Sequence, residues 1–462
     1  MLNSRFIFVK FILLMATKSL IDKPKELFEF INNNLKPKDI EKKQFGEVFT
    51  PMNFINDNML KDIEDYWFNK YNENIWTNEN IKWYDPAAGM GNYPIAIYYK
   101  LFEGLKNKIN DPTERKKHII EQQLFMSELN IKNCFIIKQI FNINNEYKLN
   151  LYEGDSLQIN IKNVFDIELF NIIIGNPPYN EELTQVGAKP LYNKFIEYYI
   201  DKCNFLSFIT PSRWFSGGKG LDRFRIMMIN RHDVIYIKHF DDASKIFGNL
   251  VKIAGGVSYF LIDKEYNGLC NYNNKQIQLN KYDIIVDSKY YNIIDKLMIY
   301  PKITDIYIGR YFGIETNDKR LKDNIENNYI KCYVSQQKGS YKYIDTQYIK
   351  HKYTFYKVIT AEAAFEKNRG FGNIFIGSEN EIHTGSFISF KVNTLEEAKS
   401  LLSYLNCKFP NFMLSLRKIT QHINESTCKW IPLVPLDRKW TDETISTYLM
   451  LSNDDIKLIN DL

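Results

Sequence analysis

From about residue 80 to 265, short apolar runs alternate with helical stretches, the rhythm of a parallel α/β sheet. Lys82–Tyr84 leads into Asp-Pro-Ala-Ala-Gly and predicts a strand that ends in a glycine turn. Leu124–Met126, closing at Glu128, predicts a second strand, and Leu149–Tyr152, closing at Gly154-Asp155, a third. Phe170–Ile174 is rich in isoleucine, as strands buried on both faces are, and stops at Gly175-Asn176-Pro177-Pro178. Phe205–Ile209 is the fifth and stops at Thr210-Pro211. Polar and turn residues therefore collect where strands end, and in open α/β sheets that carboxyl edge is where ligands bind. Near residue 265 the rhythm is lost. Asp263 to about Tyr356 is polar and rich in Asn, Lys and Tyr, and Gly370–Gly377 carries closely spaced glycines. Thr394 and Glu397 then form a capping box that predicts a helix start. The expected division is an N-terminal extension or helix over 1–40, an α/β domain over 41–265, and a second, α+β domain over 266–462.

Composition narrows the class without choosing a function. The 462 residues are 45% hydrophobic and 25% charged, which excludes a disordered or fibrous chain. A net charge of +5 tolerates a nucleic-acid partner but does not demand one. Cys134, Cys203, Cys270, Cys332, Cys407 and Cys428 are scattered with no C-x-x-C pair. That argues against a zinc ribbon and a disulfide framework and for a reducing, cytoplasmic compartment. The apolar run Phe6–Met15 is interrupted by Lys10 and has no small-residue cleavage site after it. It is shorter than the roughly 20 residues that span a bilayer, so no membrane partner is expected.

Gly175-Asn176-Pro177-Pro178-Tyr179 is the sharpest feature. Two consecutive prolines fix φ twice and remove two donors, leaving a stiff turn with its carbonyls available. The Asn176 amide and the Pro177 carbonyl are two rigid acceptors suited to a planar exocyclic amino group, and Tyr179 offers a ring on which a base could stack. A plain strand-to-loop turn would use the same dipeptides. Upstream, Asp85-Pro86-Ala87-Ala88-Gly89-Met90-Gly91-Asn92-Tyr93 is a Gly-x-Gly turn that permits close backbone approach to a ligand. No Gly-Lys-Ser/Thr follows, so it is not a P-loop. Asp85 suits a cationic ligand such as a sulfonium amino acid better than a phosphate. Glu128 could take ribose hydroxyls and Asp155 an adenine amino group, and these carboxylates recur at successive strand ends.

These residues resemble the S-adenosylmethionine-dependent DNA adenine-N6 methyltransferases. The resemblance rests on Asn176-Pro177-Pro178-Tyr179, Asp85-Pro86-Ala87-Ala88-Gly89-Met90-Gly91 and Phe45-Gly46-Glu47-Val48-Phe49-Thr50-Pro51. The order of motifs is that of the gamma arrangement, with cofactor motifs, catalytic tetrapeptide and C-terminal target-recognition domain. Pro211-Ser212-Arg213-Trp214-Phe215-Ser216-Gly217-Gly218-Lys219-Gly220, Gly255-Gly256-Val257-Ser258-Tyr259-Phe260 and Ser415-Leu416-Arg417-Lys418-Ile419-Thr420-Gln421-His422 look like methylases of type II restriction-modification systems. The similarity covers residues 40 to 455.

The resemblance implies a Rossmann-like methyltransferase sheet with helices on both faces over 41–265, and a target-recognition domain beyond it. Thr50 and the turn Asp85, Ala87, Gly89, Gly91 and Asn92 should hold the methionine part of S-adenosylmethionine, Glu128 the ribose and Asp155 the adenine. Asn176, Pro177 and Pro178 should form the catalytic turn on the target amino group, with Tyr179 on a base rotated out of double-stranded DNA. Phe240 is the candidate for the base's other face. Family members often carry Asp where this chain has Asn171, and the stretch from Gly91 to Glu128 is long and charged.

Arg417, Lys418, Gln421 and His422 fall at spacings that could present one helical face to DNA bases, or equally form a solvated basic helix end. Arg213, Lys219, Arg223 and Arg225 are expected at phosphates near the rotated base. The restriction-modification likeness brings a separately encoded endonuclease as partner, beside a methylase acting as a monomer. Similar tetrapeptides methylate adenine in RNA or glutamine amides in proteins, and a catalytically silent DNA-specificity protein would share the fold. A zinc deaminase is disfavoured, since no H-x-E…P-C-x-x-C occurs and no metal is expected. Glu41-Lys42-Lys43 is the nearest fragment to a nuclease signature and reads as a solvated helix face.

Overall fold

The computed structural model describes residues 19–34, 49–181, 189–218, 220–248, 253, 255–335, 340–363, 370–418 and 421–461. The run Phe6–Met15, Glu41-Lys42-Lys43, Phe45–Val48, Lys219 and Ile419-Thr420 lie outside the described residues. Two compact units divide at Asp283/Ile284.

The first unit is built on a nine-stranded sheet. Its strands are β1 (Trp83–Asp85), β2 (Leu124–Glu128), β3 (Leu151–Glu153), β4 (Phe170–Gly175), β5 (Cys203–Pro211), β6 (Val234–Phe240), β7 (Val257–Asp263), β8 (Cys270–Tyr272) and β9 (Lys275–Ile277). They lie in the order β3-β2-β1-β4-β5-β7-β6-β8-β9. The five strands from β3 to β5 run parallel, and β7 enters antiparallel between β5 and β6. All five expected strands are present, shifted by one or two residues at their ends. This is the Rossmann-like sheet with helices on both faces that the resemblance implies.

Both faces of the sheet are covered, which is why its central strands read as apolar without alternation. On one face Trp83 stacks on Trp76 at 5.2 Å and joins Leu124, Met126, Ile172 and Ile174 in a large core. Helices α1 (Lys61–Tyr71), α2 (Asn92–Gly104) and α3 (Ile131–Phe141) supply the other side of that core through Ile63, Leu101 and Ile140. On the opposite face Tyr84 stacks on Phe170 at 4.6 Å and meets Tyr199 of α4 (Tyr192–Tyr199) edge-on. Asn171 uses its side-chain oxygen to accept from the Lys82 N–H at 2.8 Å, so it ties β4 to the start of β1.

The first unit extends past residue 265. Strands β8 and β9 form a hairpin, and β8 pairs parallel with β6, so chain after the expected boundary belongs to the first sheet. Strands only three residues long are too short to show a period in the sequence, which is why the sequence places the boundary too early.

The second unit is α+β. One sheet orders β10 (Tyr307–Gly309), β16 (Phe387–Val392), β13 (Tyr356–Ala361) and β14 (Ile374–Gly377), all antiparallel. A smaller sheet orders β12 (Tyr341–Asp345), β11 (Tyr329–Tyr333) and β15 (Glu381–His383) over a core of Phe312, Ile314, Cys332, Ile344 and Ile382. Thr394 caps the predicted helix, α5 (Leu395–Leu405), by accepting from the Glu397 N–H. The reciprocal bond goes one residue further out, from the Asn393 N–H to the Glu397 carboxylate at 2.6 Å. Among the described residues, no helix is long and apolar enough to cross a membrane.

Candidate functional site

The carboxyl ends of β1, β2, β3 and β4 are cross-linked into one scaffold. After Asp85 the chain turns through Gly89 (φ +56) and Gly91 (φ +93) into the first turn of α2. The turn is held from the neighbouring strand: the Ala88 N–H donates to the Ser127 carbonyl at 2.9 Å and the Gly89 N–H to the Glu128 carboxylate at 2.7 Å. Glu128 also accepts from the Asn130 N–H at 2.7 Å, and its carbonyl accepts from the Gly154 N–H at 3.0 Å, bringing the end of β3 alongside. Gly175, the last residue of β4, lies so close to Asp85 that a Cβ there would stand 2.6 Å from the carboxylate. Only glycine lets β4 deliver Asn176 beside β1.

This scaffold opens into a cleft that encloses about 1050 Å³ of empty space, open solvent at its mouth included. Thr50, Ala87, Gly89, Asn92, Glu128 and Asp155 line it together with Asn176, Pro177, Pro178 and Tyr179. Asp85 sits buried beneath the turn, and Gly91 caps the helix behind it. Thr50 is fixed to α2 through its carbonyl, which accepts from the Asn92 side chain at 2.9 Å, and through its hydroxyl, which accepts from Tyr93 at 3.3 Å. Ten of the twelve residues predicted for the cofactor and the catalytic turn therefore share one cleft, and the other two support it.

Part of the wall was not foreseen from the sequence. Phe49, Leu129, Ser156, Leu157, Leu191 and Phe195 also line the cleft. Phe49 had a signal, since it directly precedes Thr50, and its ring sits 3.0 Å from where a Gly89 Cβ would be. Leu191 and Phe195 come from the start of α4, an amphipathic helix whose apolar face is indistinguishable in sequence from ordinary core.

The electrostatics favour a cationic guest beneath the glycine turn. Burial, reinforced by the nearby Glu128 carboxylate, pushes the Asp85 carboxyl up to about 8 against the help of the Ala87 N–H. One Asp85 oxygen accepts that N–H at 3.0 Å; the other is buried with no hydrogen-bond partner, as is the side-chain oxygen of Asn92. Once Asp85 ionises, these are two buried acceptors in want of donors, which an ammonium group satisfies. The residues present thus fit the amino-acid end of S-adenosylmethionine. Tyr179 is 6% exposed, and burial raises its phenol well above the ordinary tyrosine range, so it stays neutral and acts as a flat apolar wall.

Several residues expected at DNA have other partners. Phe240 is partly buried against the core, edge-on to Phe54 at 5.6 Å and stacked on Tyr259 at 6.2 Å, and does not line the cleft. Arg225 is a loop pin: its guanidinium donates to the Ser216 carbonyl at 2.6 Å and the Asp222 carboxylate at 2.8 Å. Arg213 is half-buried near Tyr192 and does not line the cleft, and desolvation lowers its pKa. Arg223 is exposed.

Arg417, Lys418, Gln421 and His422 do not share a helical face, because the helix α6 (Lys408–Arg417) ends at Arg417. Arg417 is 3% exposed, donates to the Ser426 carbonyl at 2.7 Å and lies 4.5 Å over the Trp430 ring. Lys418 is buried and donates to the Gly370 carbonyl at 3.1 Å. Apolar helix faces draw long basic side chains inward by their stems, and periodicity alone does not reveal that. Gln421 is exposed, and His422 shares the Glu362 carboxylate with Arg310.

Residues 95–247 match the family model described as Eco57I restriction-modification methylase, a span that holds Glu128, Asp155 and the Asn176–Tyr179 turn. An uncharacterized adenine-specific methylase of Mycoplasma pneumoniae is 24% identical, over 53% of this chain and 73% of that protein. Among solved structures, a nuclease-deletion mutant of the Type ISP restriction-modification enzyme LlaGI in complex with a DNA substrate mimic is 14% identical with a TM-score of 0.56. That match covers 95% of this chain and 48% of the other. The DrdV–DNA complex is 12% identical with a TM-score of 0.50, covering 85% of this chain and 56% of the other. The chain spans about half the length of these two structures, and at such identities the likeness is one of fold.

Proposed function

From the likeness to restriction-modification methylases, we propose that this chain transfers a methyl group from S-adenosylmethionine to N6 of an adenine rotated out of double-stranded DNA, within a restriction-modification system. The observation that carries the reading is the single cleft in which the strand-end carboxylates and the Asn176–Tyr179 turn meet. Asp85, Asn92 and Thr50 would hold the amino-acid end of the cofactor, Glu128 its ribose and Asp155 its adenine. When bound, the cofactor supplies an electrophilic methyl on a sulfonium.

The chain's own contribution is orientation and polarisation. The Asn176 side-chain carbonyl and the Pro177 backbone carbonyl accept from the two hydrogens of the target amino group. Those bonds draw the nitrogen toward a tetrahedral shape and turn its lone pair out of the ring, toward the methyl. Tyr179 stacks on the flat base and excludes water from one of its faces. The proton lost from the methylated nitrogen leaves to solvent through the mouth of the cleft, because an amide oxygen is too weak a base to keep it.

Nucleoside mass spectrometry after incubating unmethylated duplex DNA with the protein and S-adenosylmethionine tests the proposal. N6-methyldeoxyadenosine is expected with the wild type and not with Asn176→Ala, while both proteins bind the cofactor. Methylation retained in that variant would refute the role of the turn. No product on DNA despite cofactor binding would move the substrate to RNA or a protein amide.

A further inference from the structure

Asp318 to Lys352 form a basic, tyrosine-rich stretch: eight Lys and Arg against four Asp and Glu, a net +4, together with five tyrosines. The register of the three-stranded sheet sorts these residues by face. Tyr329 pairs with Asp345, Lys331 with Tyr343 and Tyr333 with Tyr341, so all six share one face. The alternate positions Cys332 and Ile344 point the other way, into the core with Ile382.

The tyrosine face is wet and already organised around a cation. Lys331 donates to the Glu381 carboxylate at 3.1 Å and lies 4.5 Å from the centres of both the Tyr333 and Tyr341 rings. Tyr341 is 46% exposed. Around this sheet, Lys319, Lys322, Lys350 and Lys352 are exposed, and none of them is paired with a carboxylate among the described residues. Arg320, clamped by Asp318, stands 5.2 Å over the ring of Tyr348.

We infer that the β12-β11-β15 sheet and its flanking lysines form the surface of this chain that grips the phosphate backbone of duplex DNA. The inference rests on the proposed function, and adds to it the place where the polyanion is held. Exposed lysines without carboxylate partners gain most from phosphate, because binding releases condensed counterions and no internal ion pair has to be broken. Tyrosine hydroxyls donate to phosphate oxygens, and such bonds position the duplex without reading its sequence. This surface should therefore set affinity and salt dependence, and leave the choice of site to other residues.

The test compares the 462-residue chain, its Lys322→Gln/Lys350→Gln/Lys352→Gln variant, and a control, Lys106→Gln/Lys108→Gln/Lys117→Gln, that removes the same charge from exposed positions of the first unit. Binding of a fluorescent mixed-sequence duplex is followed by anisotropy at a series of NaCl concentrations. The sheet variant should show a slope of log affinity against log salt that is shallower by about 2–3, near 0.9 for each phosphate no longer neutralised. Its affinity at 0.1 M salt should fall on the order of tenfold to a hundredfold, nearly equally for every sequence, with the methylated positions unchanged. The control should keep the wild-type slope. A wild-type slope in the sheet variant, or an equal flattening in the control, overturns the assignment of the sheet. A wild type that binds cofactor but no duplex at any salt overturns the DNA reading itself, and this surface with it.

Discussion

Asp85 is a carboxylate that the ligand-free fold holds at a cost, and Asp85→Asn should reveal it. The group titrates at 3.8 when solvated and near 8 in the folded chain. Its folded pKa is the higher one, so the folded chain keeps a proton that the unfolded chain has released. Stability from this group is therefore full below pH 4 and is lost as pH rises from about 4 to about 8. At 1.36 kcal/mol per tenfold, the loss is about 2 kcal/mol at pH 5 and roughly 5–6 kcal/mol at pH 8.5. Asparagine keeps the acceptor for the Ala87 N–H and carries no charge at either pH. The stability of Asp85→Asn relative to wild type should accordingly rise between pH 5 and pH 8.5 by about 4 kcal/mol, on the order of 10 °C in melting temperature for a unit of this size.

Taking the difference between two pH values cancels the fixed cost of burying the amide. Thermal unfolding of both proteins at both pH values is the assay, with cofactor affinity measured alongside by calorimetry. The variant should bind S-adenosylmethionine far more weakly, because the buried acceptor for the ammonium has lost its charge. Wild type should release close to one proton on binding at pH 7, since a cationic ligand draws Asp85 into its ionised form. A stability gap that is the same at pH 5 and pH 8.5 would refute the reasoning, as it would mean that Asp85 is ionised at both.

Gly175→Ala puts a Cβ 2.6 Å from the Asp85 carboxylate; it should cost about 1–3 kcal/mol in thermal stability and weaken cofactor binding more than it weakens binding to duplex DNA. Arg417→Ala should lower the stability of the second unit by about 2–4 kcal/mol, read by urea unfolding, yet leave the salt slope of DNA binding unchanged; a lowered slope would return Arg417 to the DNA surface. His383 is buried between the Thr384 carbonyl and the Ser389 hydroxyl, and burial pushes its pKa down to about 4. Its neutral form is the one folded, so the second unit should lose up to about 3 kcal/mol as pH falls from 6.5 to 4, and His383→Gln should flatten that loss in a pH series of unfolding curves.

Local chemistry makes a large part of this protein legible from its residues alone. Strands of the central sheet are buried on both faces, and their continuous apolar runs stop where turn residues have to begin. That puts Asp85, Glu128, Asp155 and Asn176 at strand ends, and a parallel sheet brings successive strand ends to one edge. The Gly89 and Gly91 turn is legible for the same reason, since positive φ restricts the residue type.

The remainder depends on partners distant in the chain. Arg417 and Lys418 read as solvated cations in sequence, yet the fold turns their stems inward onto Trp430 and the Gly370 carbonyl. Phe240 reads as an available ring, but Phe54, nearly two hundred positions earlier, packs against it. The wall formed by Leu191 and Phe195 has no signal at all, because an apolar helix face looks alike whether it borders a core or a cleft. A residue's type fixes which interactions it can make. Which of them it does make is set by the groups folding brings within a few ångströms, and one local stretch of sequence does not contain those groups.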